Sequence, residues 1–255
     1  MLLATWNVNS IRAREERLIA WLGRRRPNVV CLQELKCTDD QFPYDAIEAA
    51  GYRAAVHGQK TYNGVAILAR SAIEEVTTGF GDGGDESQAR VISGTVEGAR
   101  IISVYVVNGQ SVDSDKYAYK LAWLERLETF VATHDLSAPL GICGDYNIVP
   151  DERDVENADS WAGGVLYNED LSARFQRLLD LGLVDTFRRH HEEGGLYSWW
   201  DYRMLGFPKN NGLRIDHILA TPALANTSTD AYVDRDERKG QKPSDHAPVL
   251  TAFGP

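Results

Sequence analysis

Residues 140–150 have the sequence LGICGDYNIVP, and this segment decides the fold. Its apolar first half predicts a buried strand, and Asp145, Tyr146 and Asn147 follow where that strand ends. Side chains two positions apart on a strand point the same way, so Asp145 and Asn147 share one face and Tyr146 points to the other. Taken alone, the segment favours an ordinary Gly-Asp turn. The rest of the chain favours a functional site, because four other segments end in the same way.

Polar residues recur at the ends of the predicted strands. Residues 2–6 lead to Asn7 and Asn9, and residues 28–32 lead to Glu34. The whole set comprises Asn7, Asn9, Glu34, Tyr105, Asn108, Asp145, Asn147, Asp216, Asp245 and His246. Each of them alone has a structural explanation, such as a turn or the capping of a strand. The ordered set as a whole is what points to function.

The order of the predicted elements indicates the fold class. Strands outnumber helices, which we expect near residues 12–22, 44–50, 115–134 and 170–181. The strands do not alternate strictly with helices, which excludes a plain doubly wound sheet and predicts an α/β fold of two packed sheets with helices outside. A Gly- and Asp-rich segment at residues 78–88 predicts a mobile loop. No repeat or linker divides the chain, so we expect one domain over residues 1–255.

Charge and cysteine content limit the class of protein. The chain has 27 basic and 37 acidic residues, a net charge of −10. This balance argues against a polyanionic partner, unless some of the acids bind a divalent cation and the basic residues line one rim. No apolar segment predicts a membrane span or a leader peptide. The 3 cysteines lack a C-x-x-C spacing and predict an intracellular protein with reduced thiols.

Seven segments give the chain a resemblance to a known family. In order they are WNVNSIRA from Trp6, LQELK from Leu32, YVVNGQ from Tyr105, GDYNIVP from Gly144, YSWWDYR from Tyr197, LRIDHIL from Leu213 and SDHAPV from Ser244. Over residues 3–250 this set resembles the exonuclease III family of apurinic/apyrimidinic (AP) endonucleases, in the endonuclease/exonuclease/phosphatase superfamily. The resemblance implies a four-layered α/β sandwich of two packed mixed β-sheets flanked by helices.

The resemblance also implies metal-assisted hydrolysis of a phosphodiester. Hard carboxylate and amide oxygens suit Mg²⁺, or Mn²⁺ in its place, as one or two ions. The metal ligands implied are Glu34, Asn9 and Asp245. Asp145 is implied to be the base that activates water. The groups that stabilise charge on the phosphoryl oxygens would be Asn147, Tyr105, Asn7 and His246, with Asp216 holding the His246 imidazole protonated. The family has Asn or Asp at the position of Asn9, which leaves the number of metal ions open.

Recognition of damaged DNA is expected from the aromatic segment. Trp199, Leu213 and Ile215 match positions that form an apolar pocket for a flipped-out sugar without its base, with Asn108 at the pocket edge. Such a sugar is small, so a tight pocket would exclude normal nucleotides. The cations expected to contact the DNA backbone include Arg12, Lys36 and Arg214, together with Arg14, Lys60, Arg203 and Lys209. We expect the charged segment 235–242 to be solvent-exposed and His217 to be structural.

The predicted function is a Mg²⁺-dependent AP endonuclease of base-excision repair. It would cut double-stranded DNA 5′ of an abasic site, leave a 3′-hydroxyl, and also trim blocked 3′ ends as an exonuclease or phosphatase. One alternative is another phosphodiesterase or phosphatase of the superfamily, acting on phosphoinositides, sphingolipids or undamaged DNA. A remote alternative is a catalytically silent DNA-binding protein, against which the retained Glu34, Asp145 and His246 argue. We expect a cytoplasmic, DNA-associated monomer.

Overall fold

A computed structural model describes residues 1–254 of the chain. Its strands are β1 (Leu2–Asn7), β2 (Val29–Gln33), β3 (Arg53–His57), β4 (Val65–Ala69), β5 (Glu74–Thr78), β6 (Val91–Val96), β7 (Ala99–Tyr105), β8 (Leu140–Asp145), β9 (Val184–Asp185), β10 (Asp216–Ala220), β11 (Ser228–Val233) and β12 (Val249–Phe253). Its α-helices are α1 (Ile11–Arg25), α2 (Tyr44–Ala49), α3 (Asp115–Ala132), α4 (Ala158–Trp161), α5 (Glu169–Asp180), α6 (Gly206–Lys209) and α7 (Pro222–Ala225).

The strands form two six-stranded mixed sheets. The first has the order β11-β12-β1-β2-β4-β3 and the second β5-β6-β7-β8-β10-β9. Each sheet has one parallel pair at its centre, β1 with β2 and β7 with β8, and its other neighbours are antiparallel. Because β1 lies between β2 and β12, the two ends of the chain are adjacent, and the amino group of Met1 donates to the Phe253 carbonyl at 2.6 Å.

The two sheets and the helices outside each of them form four layers. Three apolar clusters fill the spaces between neighbouring layers. Residues such as Leu3 and Ile101 fill the space between the sheets. The outer face of the first sheet packs on α1 through Trp21 and neighbouring residues. The outer face of the second sheet packs on α3 and α5 through Leu127 and Phe175. The predicted α/β sandwich of two mixed sheets flanked by helices is therefore confirmed.

Helix α3 shows how local sequence sets these layers. The Ser114 side chain accepts a hydrogen bond from the Tyr117 amide and satisfies one free N–H of the first turn. Leu124, Leu127 and Val131 recur at helical spacing and are buried against the second sheet. Lys120 lies on this buried face as well, which an amphipathic pattern does not predict.

One edge of the sandwich collects the strand ends that matter for function. The parallel strands β1, β2, β7 and β8 all end there, and the antiparallel β10 begins there, with Asp216 paired opposite Asp145. Gly144 is needed just before this edge, because a Cβ at its position would overlap the carbonyl oxygen of Val104 on β7. The polar residues at the strand ends are therefore brought to one place.

Some elements differ from the sequence prediction. The strands β5, β9 and β11 and the short helices α4, α6 and α7 were not predicted. The segment 78–88, expected to be mobile, is held on α3 by Arg126, which binds Asp82 at 2.7 Å and the Asp85 carbonyl at 2.9 Å. Within the segment 235–242, Glu237 and Arg238 are buried, so the expectation of full exposure is wrong there. Among residues 1–254, no helix has the length and hydropathy of a membrane span.

Candidate active site

Asp145 lies at the end of β8 with only 1% of its surface exposed. The Asn7 amide nitrogen donates to Asp145 Oδ2 at 2.9 Å and to Glu34 Oε1 at 2.8 Å, and so links acids from the two sheets. Burial raises the pKa of Asp145 to about 7, against the opposing effect of His246. A carboxylate with a pKa near neutrality is well matched to the role of a general base.

His246 lies between two carboxylates. Its Nδ1 is 2.8 Å from Asp216 Oδ2, and its Nε2 is 3.7 Å from Asp145 Oδ2. Burial alone would lower the pKa of His246, but Asp216 and Asp145 raise it to about 10. The imidazole is therefore a cation at neutral pH, and it donates through Nδ1 to Asp216. The structure has the predicted Asp216–His246 pair.

Glu34 carries the carboxylate of the predicted metal site. Its Oε1 accepts from the Tyr105 hydroxyl at 3.0 Å, and its Oε2 lies 2.8 Å from the Lys36 ammonium. That ammonium also donates to Asn9 Oδ1 at 2.6 Å. Burial alone would raise the pKa of Glu34, but Lys36 and Asn7 keep it below its ordinary value. Oxygens of two predicted metal ligands, Glu34 and Asn9, thus already bind one cation, the Lys36 ammonium.

Asp245, the third predicted metal ligand, is hydrogen-bonded to Asn9. The Asn9 amide nitrogen donates to Asp245 Oδ1 at 2.9 Å, and the indole of Trp199 donates to Asp245 Oδ2 at 3.0 Å. Glu34, Asp145 and His246 offer atoms within 4.8 Å of one another. Within that group, Glu34 and Asp145 supply the carboxylate oxygens, while His246 is bound through Nδ1 to Asp216. Hard oxygens of this kind fit a divalent ion such as Mg²⁺.

Backbone conformation around these groups is unusual. Non-glycine residues with positive φ include Asn9, Glu34 and Lys36, at 45°, 55° and 55°, and Asn147 at 49°. Such conformations carry strain and concentrate at functional sites. The Asn147 backbone N–H donates to Asp145 Oδ1 at 2.9 Å, and the Asn108 side chain donates to Asn147 Oδ1 at 3.1 Å. The backbone of Asn147 is therefore held beside the candidate base, and its side chain is held by Asn108.

The residues predicted to form the sugar pocket do meet, but two of them are covered. Trp199, Leu213 and Ile215 belong to one apolar cluster, in which Leu213 is 0% and Ile215 2% exposed. Leu166, from the segment before α5, belongs to the same cluster and is itself 7% exposed. Trp199 is half-buried; its ring contacts the Trp161 ring edge-on, with 6.1 Å between ring centroids, and the two rings line a cavity of about 390 Å³. An open surface for a sugar is therefore present at Trp199 and absent at Leu213 and Ile215.

The predicted DNA-contacting cations have different surroundings. Arg12 is exposed and Lys36 is partly buried against Glu34. Arg214 is fully buried, with Nε 2.5 Å from Asp154 and Nη2 2.8 Å from Asp185. The prediction that Arg214 contacts DNA is wrong, because its guanidinium is already committed to two carboxylates beneath the surface.

Several residues of the site were missed by the sequence analysis. The Ser198 hydroxyl donates to Asp216 Oδ2 at 2.6 Å, and the Ser244 hydroxyl donates to the Asn7 carbonyl at 2.7 Å. Arg90 lies over the Tyr105 ring at 4.7 Å and donates to the Tyr105 carbonyl. The Lys120 ammonium donates to the backbone carbonyls of Asn108 and Asn147. Only Lys120 gave a sequence signal, because it is a charged residue that interrupts the apolar spacing of Tyr117 and Leu124 on α3.

Known proteins share this architecture over the full chain. The endonuclease/exonuclease/phosphatase family matches residues 4–246. Exodeoxyribonuclease III of Haemophilus influenzae is 36% identical over 266 residues, covering 99% of this chain and 100% of that protein. A 3′ phosphatase from Neisseria, NExo, solved with product DNA hairpin, is 42% identical with a TM-score of 0.97, covering 100% of this chain and 99% of that chain. An AP endonuclease from Archaeoglobus fulgidus is 37% identical with a TM-score of 0.96, covering 100% of both chains.

Proposed function

Because this chain belongs to the endonuclease/exonuclease/phosphatase family, we propose that it is a Mg²⁺-dependent AP endonuclease of DNA repair. The family and the acidic cluster make it a metal-dependent phosphodiesterase whose substrate class is DNA. The more specific proposal is cleavage 5′ of an abasic site in duplex DNA to leave a 3′-hydroxyl, with 3′ exonuclease and 3′ phosphatase activity. Action as a single-domain, cytoplasmic monomer stays a prediction.

The observation that carries the proposal is the pair formed by Asp145 and His246. The base and the cation face each other with 3.7 Å between Oδ2 and Nε2. Asp145 would take the proton of the attacking water, and His246 would hold a non-bridging phosphoryl oxygen through Nε2–H. The Tyr105 hydroxyl, which donates to Glu34 Oε1 at 3.0 Å, would redirect its one hydrogen to the same group once a metal ion holds the Glu34 carboxylate. A metal ion held by Glu34 with Asn9 and Asp245 would supply Lewis-acid polarisation of the phosphate.

A surface next to the site suits a nucleic-acid strand. An open groove of about 820 Å³ begins at Asn108 and is lined by Arg90 and Lys116. Tyr62, with 67% of its surface exposed, lines the same groove. Cations and an exposed aromatic ring are the groups that bind phosphates and stack on bases. The net charge of −10 therefore does not exclude a DNA partner, since this groove is lined by two cations and by no acidic residue.

A second candidate is an enzyme that acts mainly on 3′ ends. The burial of Leu213 and Ile215 in one cluster with Leu166 favours it, because these two side chains then offer no open apolar surface to an internal abasic sugar. A terminal 3′-phosphate needs only the phosphate-binding groups and no sugar pocket. Removal of a 3′ blocking group would then exceed internal cleavage.

The deciding experiment compares three duplexes with Mg²⁺ and with chelator. One carries a single stable abasic-site analogue, one is undamaged, and one ends in a 3′-phosphate. Metal-dependent cutting 5′ of the analogue, without internal cutting of the undamaged duplex, supports the AP endonuclease. Phosphate release without internal cutting supports the second candidate. Absence of both activities in folded, metal-loaded protein would refute the proposed function.

A further inference from the structure

Lys120 is a charged residue on the buried face of α3. Its side chain is 0% exposed, beside the buried Tyr117 and Leu124 of the same helix. Lysine is rarely fully buried unless its ammonium has partners, because removing a charge from water is costly. The catalytic roles described above do not use Lys120, so its burial needs another explanation.

The ammonium of Lys120 is bound by three carbonyl oxygens. Its Nζ donates to Asn147 at 2.7 Å, to Val165 at 2.7 Å and to Asn108 at 3.2 Å. An ammonium has three N–H donors, and each has an acceptor here. Burial lowers the pKa of Lys120 to about 7, while the Asp145 carboxylate acts in the opposite direction. The three acceptors favour the charged form, since a neutral amine would leave one of them without a donor.

These carbonyls come from three separate segments around the site. Asn108 follows β7, Asn147 follows β8, and Val165 precedes α5. The next residue after Val165 is Leu166, which packs in one cluster with the buried residues of the predicted sugar pocket and whose carbonyl accepts from the Val149 amide at 2.8 Å. The Lys120 ammonium therefore connects the backbones of Asn108 and Asn147 to the segment that carries Leu166.

The segments approach one another closely around the Lys120 side chain. A Cβ added at Gly109 would lie 2.7 Å from Val165 Cγ2 and 3.2 Å from Lys120 Cδ. Gly109 also has a φ of +99°, which favours glycine. A tight packing of this kind transmits a displacement of one segment to the others, because little free volume can absorb it.

We propose that Lys120 is a positioning residue for phosphoester hydrolysis. Its ammonium fixes the backbones of Asn108 and Asn147, and with the latter the N–H that donates to Asp145 Oδ1. The same ammonium sets where Leu166 lies over Leu213 and Ile215. The predicted effect of Lys120 on hydrolysis rests on the proposed function. Its predicted effect on the positions of the three backbone segments does not.

The first test is the variant Lys120→Met, which keeps the aliphatic stem and removes the donors and the charge. Lys239→Met is the matched control, because Lys239 is exposed and pairs with Asp236 at the surface. We expect kcat for phosphate release from a 3′-phosphorylated duplex to fall between about 10- and 100-fold, with little change in KM, because misplaced groups lose transition-state contacts. Assays are run below the melting transition of each variant.

Two further measurements separate positioning from general stability. Hydrogen exchange should accelerate at residues 108–110, 147–149 and 165–167 and stay unchanged in β1 and β2. Lys120→Arg, which restores a cation with several donors, should recover part of the lost kcat. A folded Lys120→Met enzyme with the kcat of the control, or exchange that accelerates evenly through both sheets, would overturn the proposal. If the wild-type protein hydrolyses no phosphoester, the proposed function fails, and the exchange pattern alone still decides the structural part.

Discussion

His246 Nε2 lies 3.7 Å from Asp145 Oδ2, so the two groups attract each other without a direct hydrogen bond. His246 is bound more closely on its other side, where Nδ1 is 2.8 Å from Asp216. The Nε2–H donor and the Asp145 carboxylate are therefore both available to a molecule placed between them. A water and a phosphoryl oxygen are partners of suitable polarity for such a gap.

Asp145→Asn should abolish turnover and leave DNA binding largely intact. The amide keeps the size of the side chain but cannot accept a proton from water, and loss of a general base costs about 10²–10⁴-fold. Single-turnover cleavage and a fluorescence-anisotropy titration with the same DNA measure the two quantities. Cleavage at the wild-type rate would remove Asp145 from the role of base.

Lys36→Met should strengthen binding of the divalent ion. The Lys36 ammonium lies 2.8 Å from Glu34 and 2.6 Å from Asn9, where it competes for oxygens that a metal would use. Removing it should lower the Kd for Mn²⁺ by about tenfold, or ~1.4 kcal/mol. Calorimetric titration without DNA measures this, with Lys239→Met as control. Weaker binding in the variant would mean that Lys36 supports the metal site and does not compete with it.

Leu166→Ala should shift activity toward internal abasic sites. The smaller side chain uncovers Leu213 and Ile215, and a few methylene groups in an apolar pocket alter discrimination by about 10- to 200-fold. The variant should lose about 2–5 kcal/mol of stability, because it removes buried methyl groups. The measured quantity is the ratio of kcat/KM for the abasic duplex to that for the 3′-phosphorylated duplex. An unchanged ratio would show that the Leu166 side chain does not limit entry of the abasic sugar.

His217 should make the protein less stable as the pH falls below neutrality. Its Nδ1 accepts from Arg214 at 3.0 Å, and its Nε2 donates to the Ile148 carbonyl at 3.0 Å. Burial, with Arg214, lowers the pKa of His217 to about 4. Between this pH and the ordinary histidine value of about 6.5, the unfolded chain binds more protons, so stability rises with pH.

The size of this effect follows from the two pKa values. The His217 contribution should change by about 2 kcal/mol between pH 7.5 and pH 5. Urea unfolding of the wild type and of His217→Gln at both pH values isolates it, because the other titrating groups are common to both proteins. Equal pH dependence in the two proteins would contradict the assignment of a neutral, buried imidazole.

The sequence predicted those parts of the fold and site that depend on local pattern. The apolar segment that ends at Asp145 placed Asp145 and Asn147 at a sheet edge, and the structure has them there. The burial of Arg214 was not predictable in this way, because its partners Asp154 and Asp185 lie 60 and 29 residues away in the chain. Residue type alone does not tell whether a cation faces DNA or an internal carboxylate.

The packing of Leu166 with Leu213 and Ile215 was likewise not predictable from local sequence pattern. The family resemblance implied that Leu213 and Ile215 lie together, and the structure has both in one apolar cluster. Whether their surface is open depends on Leu166, from a segment whose own pattern gives no preferred position. Its placement comes from long-range bonds, such as those of Lys120 and Val149.

The pairing of β1 with β12 has a consequence for the protein while it is being synthesised. Asn9 leaves the ribosome 236 residues before Asp245, yet its side chain binds Asp245 at 2.9 Å. A nascent chain therefore cannot assemble the site until β12 and the residues just before it have been synthesised. A chain interrupted before that point would lack Asp245 and His246 and would be inert as a nuclease.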